Sequence, residues 1–308
     1  MPEYVQIAKG MHVNAEQIRL GPSTLCNGVD AECMRTYAAV IASGIFLLSL
    51  THDVMNIIID LIPALLFINV ILQKNYKSFR LKTDWGTTPP IQGFGANPSL
   101  DSTLCSLMFA VMLMNEYHWI YWVIAIPSLL YCLYRNKATS GLLGVLGASS
   151  AWLMLHQYYI PLLLLWLACG TIVYFNRELL SPSGRLEIYK HAYEKLWIRS
   201  TKRFGLGNGA FKLVMMLTGN IKVKGYENSK GDITSTSHLH SDILQMPLDI
   251  GIVGVVLFVI MFLSLIFTMN TIGWIFLAAL LPNVLFNFPI HLAPHVFFIL
   301  LALKQVYL

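Results

Sequence analysis

Charge is what this sequence has least of. Asp, Glu, Lys and Arg make up only 12% of its 308 residues, and 56% are hydrophobic, against about 25% charged in an average soluble domain. With a mean hydropathy of +0.61, a water-soluble globule is excluded. A membrane-spanning β-barrel is excluded as well, because its strands alternate apolar and polar residues whereas the runs here are apolar on every face. Cysteine is scarce, five in all. Cys105, Cys132 and Cys169 sit inside apolar runs as small hydrophobes, while Cys26 and Cys33 share one short polar segment and can pair if it faces an oxidising compartment. Residues 1–35 lack a basic stretch followed by an apolar core, so no cleaved signal peptide is read there.

What the sequence does have is a succession of apolar runs of about 15 to 22 residues separated by short polar breaks, the pattern of membrane-crossing helices. It predicts an all-α, polytopic transmembrane helix bundle of about nine spans. Residues 1–35 form an N-terminal surface segment. Six helices follow in 36–175: Tyr37 to Leu72 holds two, broken near Thr51, His52 and Asp53, and four more cover about 103–116, 118–134, 139–156 and 158–175. The third and fourth spans are divided at Asn115, Glu116 and His118. A polar stretch, 176–249, separates these from three C-terminal spans at about 250–268, 272–288 and 291–306.

The stretch 176–249 holds about eleven of the 21 Lys and Arg residues, which gives the chain its net charge of +5. Beside a membrane such a cluster points to an anionic partner, lipid phosphate rather than nucleic acid, since no nucleic-acid motif accompanies it. From Arg185 to Arg199 the spacing predicts an amphipathic interfacial helix, with Leu186, Tyr189, Tyr193, Leu196 and Trp197 on its apolar stripe. Glu187, Lys190, His191, Glu194 and Lys195 form the polar one. Orientation has two answers. The basic residues at 74–82 and 135–137 would place those loops, and with about nine spans the long loop too, in the cytoplasm. A loop of this length is itself a poor reporter, and the motifs below require it outside.

Three features of the loop and its exit could carry chemistry. Arg185, in SPSGRLEIY, lies in the first turn of the amphipathic helix, where a guanidinium adds its donors to unpaired backbone N–H groups and makes an anion site. His238 and His240, in HLHSDILQMPLDIGIVG, stand at a membrane-water boundary, where a histidine can accept a proton from an attacking hydroxyl. With Asp242 nearby these histidines also resemble metal ligands, yet no HExxH pattern or CxxC pair completes a site. The bland alternatives are a solvated arginine and a set of helix-capping residues. The third feature, GLGNG at 205–209, is a turn and not a phosphate loop, because the Walker Lys-Ser/Thr ending is missing. Asp60 and Glu116 lie near helix ends and are given no role.

In chain order, SGRLEIY, RFGLGNGAF, HLHSDILQMPLDIGIVGVVLF and NVLFNFPIHLAPHVFFILLAL resemble the C-terminal half of the O-antigen ligase and O-antigen polymerase superfamily. GFGANPS at 93–99 is similar to an earlier external loop of that family, so the resemblance covers roughly residues 90–308. It implies a membrane-embedded glycosyltransferase that needs no metal or cofactor and draws its glycan from a polyprenyl diphosphate lipid. It works on the outer side of a bacterial inner membrane, with the long loop periplasmic. The acceptor is a glycan or a lipid, and a chain-length regulator protein is a possible partner. By the resemblance Arg185 holds the diphosphate and His240 activates the acceptor hydroxyl. His238, Ser241 and Tyr189 are added as substrate contacts.

The sequence departs from the family at one point. Members carry a further arginine in a Ser-Arg-Gly start to an earlier span, whereas here KATSGLLG puts Ser140 at that place. Arg135 or Lys137, about one turn away, would have to substitute in binding substrate. The alternative reading is therefore a non-catalytic polytopic binder or transporter of anionic lipid such as a polyprenyl phosphate.

Overall fold

The structure, a computed structural model, describes residues 50–74, 98–115, 117–136, 139–175, 185–195, 241–287 and 293–307, with a few isolated positions. Every regular element among the described residues is an α-helix. In order they are α1 (His52–Asp60), α2 (Ile62–Lys74), α3 (Pro98–Leu113), α4 (Trp119–Asn136), α5 (Thr139–Leu155), α6 (Tyr159–Phe175), α7 (Arg185–Lys195), α8 (Asp242–Thr268), α9 (Gly273–Phe286) and α10 (Ala293–Tyr307). They divide into two compact units, one holding α7 and α8 up to Phe267 and the other α1–α6 with α9 and α10. The Cys26–Cys33 segment expected from the sequence lies outside the described residues.

Two stretches are long and apolar enough to cross a membrane, Asp53–Lys74 with 22 residues and Asp242–Thr268 with 27. The other apolar helices run to 10–17 residues, short of the roughly 20 that span a hydrocarbon layer without tilt or thinning. The breaks between helices are chemically specified. Thr51 caps α1, its hydroxyl accepting from Val54 N. Asn115 ends α3 by donating to the Val111 carbonyl at 2.6 Å. Gln157, between α5 and α6, is the single described non-glycine residue with positive φ, at 60°.

Two helices begin earlier than their hydropathy indicates. α3 starts at Pro98 and not near 103, and α8 starts at Asp242 and not near 250. Both early turns are polar, with Asp101, Ser102 and Thr103 in one and Asp242, Gln245 and Asp249 in the other, and all six residues are buried. Asp101 is met by Asn69 and Gln73 of α2 and Thr103 by Asn287, distant partners that a local average of hydropathy does not register, while Gln245 and Asp249 bond to each other one turn apart. Within α8 the backbone leaves helical geometry at Gly251 (φ 64°, ψ −177°), a region open essentially to glycine alone. The break marks off Asp242–Ile250 from the apolar rod that follows.

The larger unit is organised around α3, which is buried at every position from Leu100 to Met112. Its apolar residues Leu104, Leu107, Met108, Val111 and Met112 join the core with Ile62 and Leu66 of α2, Leu129 of α4 and Leu301 of α10. At about 100° per residue, its polar residues fall into two stripes on opposite sides. On one side Asp101 Oδ2 accepts from Asn69 Nδ2 at 3.0 Å and Gln73 Nε2 at 2.6 Å, both on α2. On the other, Asn287 donates to Thr103 Oγ1 at 2.8 Å and to Ser140 Oγ on α5 at 2.6 Å, and accepts from Ser99 Oγ at 2.7 Å. One turn further along, Asn283 donates to Ser106 Oγ at 2.8 Å.

The helix α5 fits between α3 and α9 because it presents small residues to both. A Cβ on Gly144 would stand 2.5 Å from Asn283 Nδ2, 2.8 Å from Ser106 Oγ and 3.0 Å from the Ala279 carbonyl oxygen. Small residues that let backbones approach, with amides hydrogen-bonding across the gap, are how helices associate where apolar burial supplies no drive. Asn287→Leu removes the donor shared by Thr103 and Ser140 and leaves their hydroxyls buried, at a cost of about 1–3 kcal/mol. Leu163→Ala on α6, where the side chain is 60% exposed, should shift stability by no more than about 0.5 kcal/mol. Unfolding of the two purified variants in detergent micelles measures the contrast.

Candidate functional site

The smaller unit contains the segments that the sequence singles out. Arg185 is the first residue of α7, as expected, so its backbone stands at the N-terminal end of that helix, where unpaired N–H groups and the helix dipole favour an anion. The described side chains on α7 correct the predicted stripe. Ile188 and Ala192, one turn apart, are the fully buried pair, while Tyr189 and Tyr193 are half-buried. The buried face is thus turned by about one residue from the Leu186, Tyr189, Tyr193 line. The polar side holds, with Lys190 and Glu194 75% and 58% exposed and 3.7 Å apart.

Tyr193 ties α7 to the entrance of α8. Its hydroxyl donates to the Leu244 carbonyl at 2.8 Å, and burial pushes its phenol above the ordinary tyrosine value, keeping the group a proton-bearing donor near neutral pH. Arg185 lies eight residues upstream on the same helix, about 12 Å along the axis.

Ser241 is the N-cap of α8. Its hydroxyl accepts from Leu244 N at 3.3 Å and its carbonyl accepts from Gln245 N at 2.9 Å, the usual service of a serine at this place. Gln245 reaches back, its Oε1 accepting from Leu239 N at 3.2 Å, and its Nε2 donates to Asp249 Oδ2 at 3.1 Å. His238 and His240 lie outside the described residues. The residues on either side of His240, Leu239 and Ser241, are both fully buried and both pinned to the first two turns of α8.

Gln245 and Asp249 are the residues that sequence reasoning passed over at this entrance, and Asp242, weighed there only beside the histidines, joins them. Their spacing of three and four places them on one helix face, a polar stripe at the head of an apolar run. That spacing was visible, but it was read as the tail of a loop. Of the remaining candidates, Arg135 lies in the last turn of α4 with its side chain outside the described residues, and Lys137 lies wholly outside them. Ser140, which the sequence resemblance set against an arginine, is buried in the larger unit, 4% exposed and bonded to Asn287. That position serves helix packing in this chain.

No family model, no curated protein and no solved structure matches this chain.

Proposed function

We propose that the chain is a polytopic membrane glycosyltransferase of the O-antigen polymerase or ligase type. The observation that carries this reading is the coupling of its two motifs. Arg185 opens α7, and Tyr193 of that helix bonds to the first turn of α8, which directly follows His240 and is held by contacts from both of its neighbours. A phosphate-binding helix start and a base at a helix entrance, built into one unit, are the two groups that transfer from a diphosphate needs.

In the reaction, Arg185 and the α7 N-terminus hold the diphosphate of a polyprenyl-linked glycan. His240 takes the proton from an acceptor hydroxyl as its oxygen bonds to the anomeric carbon. The bond from that carbon to the diphosphate oxygen breaks, and the guanidinium balances the charge that collects on the leaving group. Tyr189, Ser241 and His238 are placed around the acceptor, and Arg135 or Lys137 supplies the second positive charge.

The nine-span arrangement belongs to the same proposal. Large apolar side chains face outward along the short helices, Ile160, Leu163, Leu164 and Leu167 on α6 and Trp119, Ile120 and Val123 on α4, as they do along α8. A surface of this kind suits hydrocarbon and not water. Bundling, with some local thinning of the bilayer, accommodates helices shorter than the full layer. The second reading, a binder of anionic lipid without transfer, is favoured by the burial of Ser140, which leaves no arginine at the place where the family has one.

His240→Ala separates the two readings. A transferase should lose about 10²–10⁴-fold in rate with normal membrane insertion, measured as polysaccharide chain length or attachment in a strain that depends on the gene. Activity within about threefold of wild type in inserted protein would refute the base assignment. Arg185→Lys should restore little activity or donor-lipid binding, because an ammonium cannot make the planar two-point contact of a guanidinium. Full rescue by Lys would reduce the role of Arg185 to simple charge attraction. The loop must also face outside the cell. Cysteines at Ser229 or Ser235, in a background without Cys26 and Cys33, should react with a membrane-impermeant thiol reagent in intact cells. Reaction only after lysis would overturn both orientation and function.

A further inference from the structure

Away from the proposed transfer site, one end of the larger unit gathers two thiols, a carboxylate and two carboxamides. Asp101 lies in the first turn of α3, Cys105 one turn further on, Cys132 near the end of α4, and Asn69 and Gln73 in the last two turns of α2. All five are 1% exposed or less. The carboxylate oxygen and the two sulfurs lie within 4.8 Å of one another, with Cys105 Sγ 4.0 Å from Asp101 Oδ2.

The position of the Asn69 amide is the telling feature. Its Nδ2 stands 3.0 Å from Asp101 Oδ2, 3.2 Å from Cys105 Sγ and 3.6 Å from Cys132 Sγ. One NH₂ group with two hydrogens thus faces three electron-rich atoms, capping the triangle they form. A group that helps only to glue helices together needs one good acceptor. Three acceptors converging on one point is what a cation would select.

We propose that Asp101, Cys105, Cys132 and Asn69 form a closed structural site for a zinc-class divalent ion. Tetrahedral zinc takes sulfur at about 2.3 Å and oxygen at about 2.0–2.2 Å, which places its ligand atoms roughly 3.5–3.8 Å apart. The triangle, no side of which exceeds 4.8 Å, needs to contract by at most about 1.0–1.3 Å to meet this. A half-turn of the Asn69 amide puts Oδ1 at the apex now held by Nδ2, and nitrogen and oxygen at such a terminus are interchangeable in shape. Gln73 Nε2, 2.6 Å from the carboxylate, orients that ligand from outside, as second-layer donors do. On binding, both thiols lose their protons to water and no electrons move. The net single negative charge that results lies at the N-terminus of α3, whose dipole favours it. The ion would clamp α2, α3 and α4 and takes no part in glycan transfer, so the inference stands or falls separately from the proposed function.

The test uses full-length protein purified in detergent under reducing conditions, carrying Cys26→Ser, Cys33→Ser and Cys169→Ala. One equivalent of Co²⁺ should produce a thiolate-to-cobalt charge-transfer band and the visible bands of a tetrahedral ion. Zn²⁺ should bleach both and protect two thiols from a thiol reagent. Adding Gln73→Ala should weaken Co²⁺ binding about 10–100-fold while keeping the band, and adding Cys105→Ser or Cys132→Ser should diminish the band. Absence of a charge-transfer band in the reduced starting protein would overturn the site, and needs no further variant to fold. A band that persists when both Cys105 and Cys132 are replaced would place the ion elsewhere and overturn it too. So would protein isolated from cells with Cys105 and Cys132 already joined as a disulfide.

Discussion

The larger unit depends on the enclosure of α3. A helix buried on every face has no solvent for its polar side chains, so Asp101, Thr103 and Ser106 find partners on neighbouring elements, and each partner fixes that neighbour's rotation; the buried Ser102 hydroxyl has none among the described residues. Asn69 and Gln73, four residues apart on α2, meet Asp101 and Cys105, four apart on α3. Asn283 on α9 and Asn287 at its C-terminal cap, four apart, meet Ser106, Thr103 and Ser99 on the opposite side. Sliding either neighbour by a turn would break two contacts at once. His295 of α10 adds a third anchor through the Leu100 carbonyl at 2.8 Å. Apolar packing brings these helices together without choosing among registers, and the amides make the choice.

This division explains what could be read from the chain. The order of helices and the breaks at Thr51, Asn115 and Gln157 follow from apolar runs and local capping, and those signals act over a few residues. The buried polar faces of α3 and α8 do not follow. Asp101 looks like loop until Asn69 is known to lie beside it, thirty-two residues away in sequence. Gln245 and Asp249 bond to each other one turn apart, in a turn that hydropathy assigns to the loop. On α7 the small residue Ala192 counts for little in an apolar pattern, yet it is as fully buried as Ile188.

The candidate site shows a similar mixture. Arg185 at a helix start was legible because the Ser-Gly preceding it and the amphipathic run following it are local signals. The link from α7 to the α8 entrance was not, because a tyrosine hydroxyl on a backbone carbonyl leaves no mark in sequence. Ser140 reads differently in sequence and in fold. The sequence resemblance sets it against a cation, whereas in the fold its hydroxyl accepts from Asn287. A longer side chain at that buried position would have to displace the α5–α9 contact.

Gly251 carries a consequence of a mechanical kind. At φ 64° and ψ −177° it departs from helical geometry, so α8 is two arms joined at a kink and not one straight beam. Ile252 to Thr268 answers to whatever surrounds its outward-facing Leu257, Ile260 and Phe267. Asp242 to Ile250 answers to Tyr193 and to its own cap. The long arm thus meets Asp242 to Ile250 only through the glycine. Exchanges among its outward-facing residues, such as Val for Ile or Leu for Met, fall on the far side of that break, while at the kink itself a side chain would be strained.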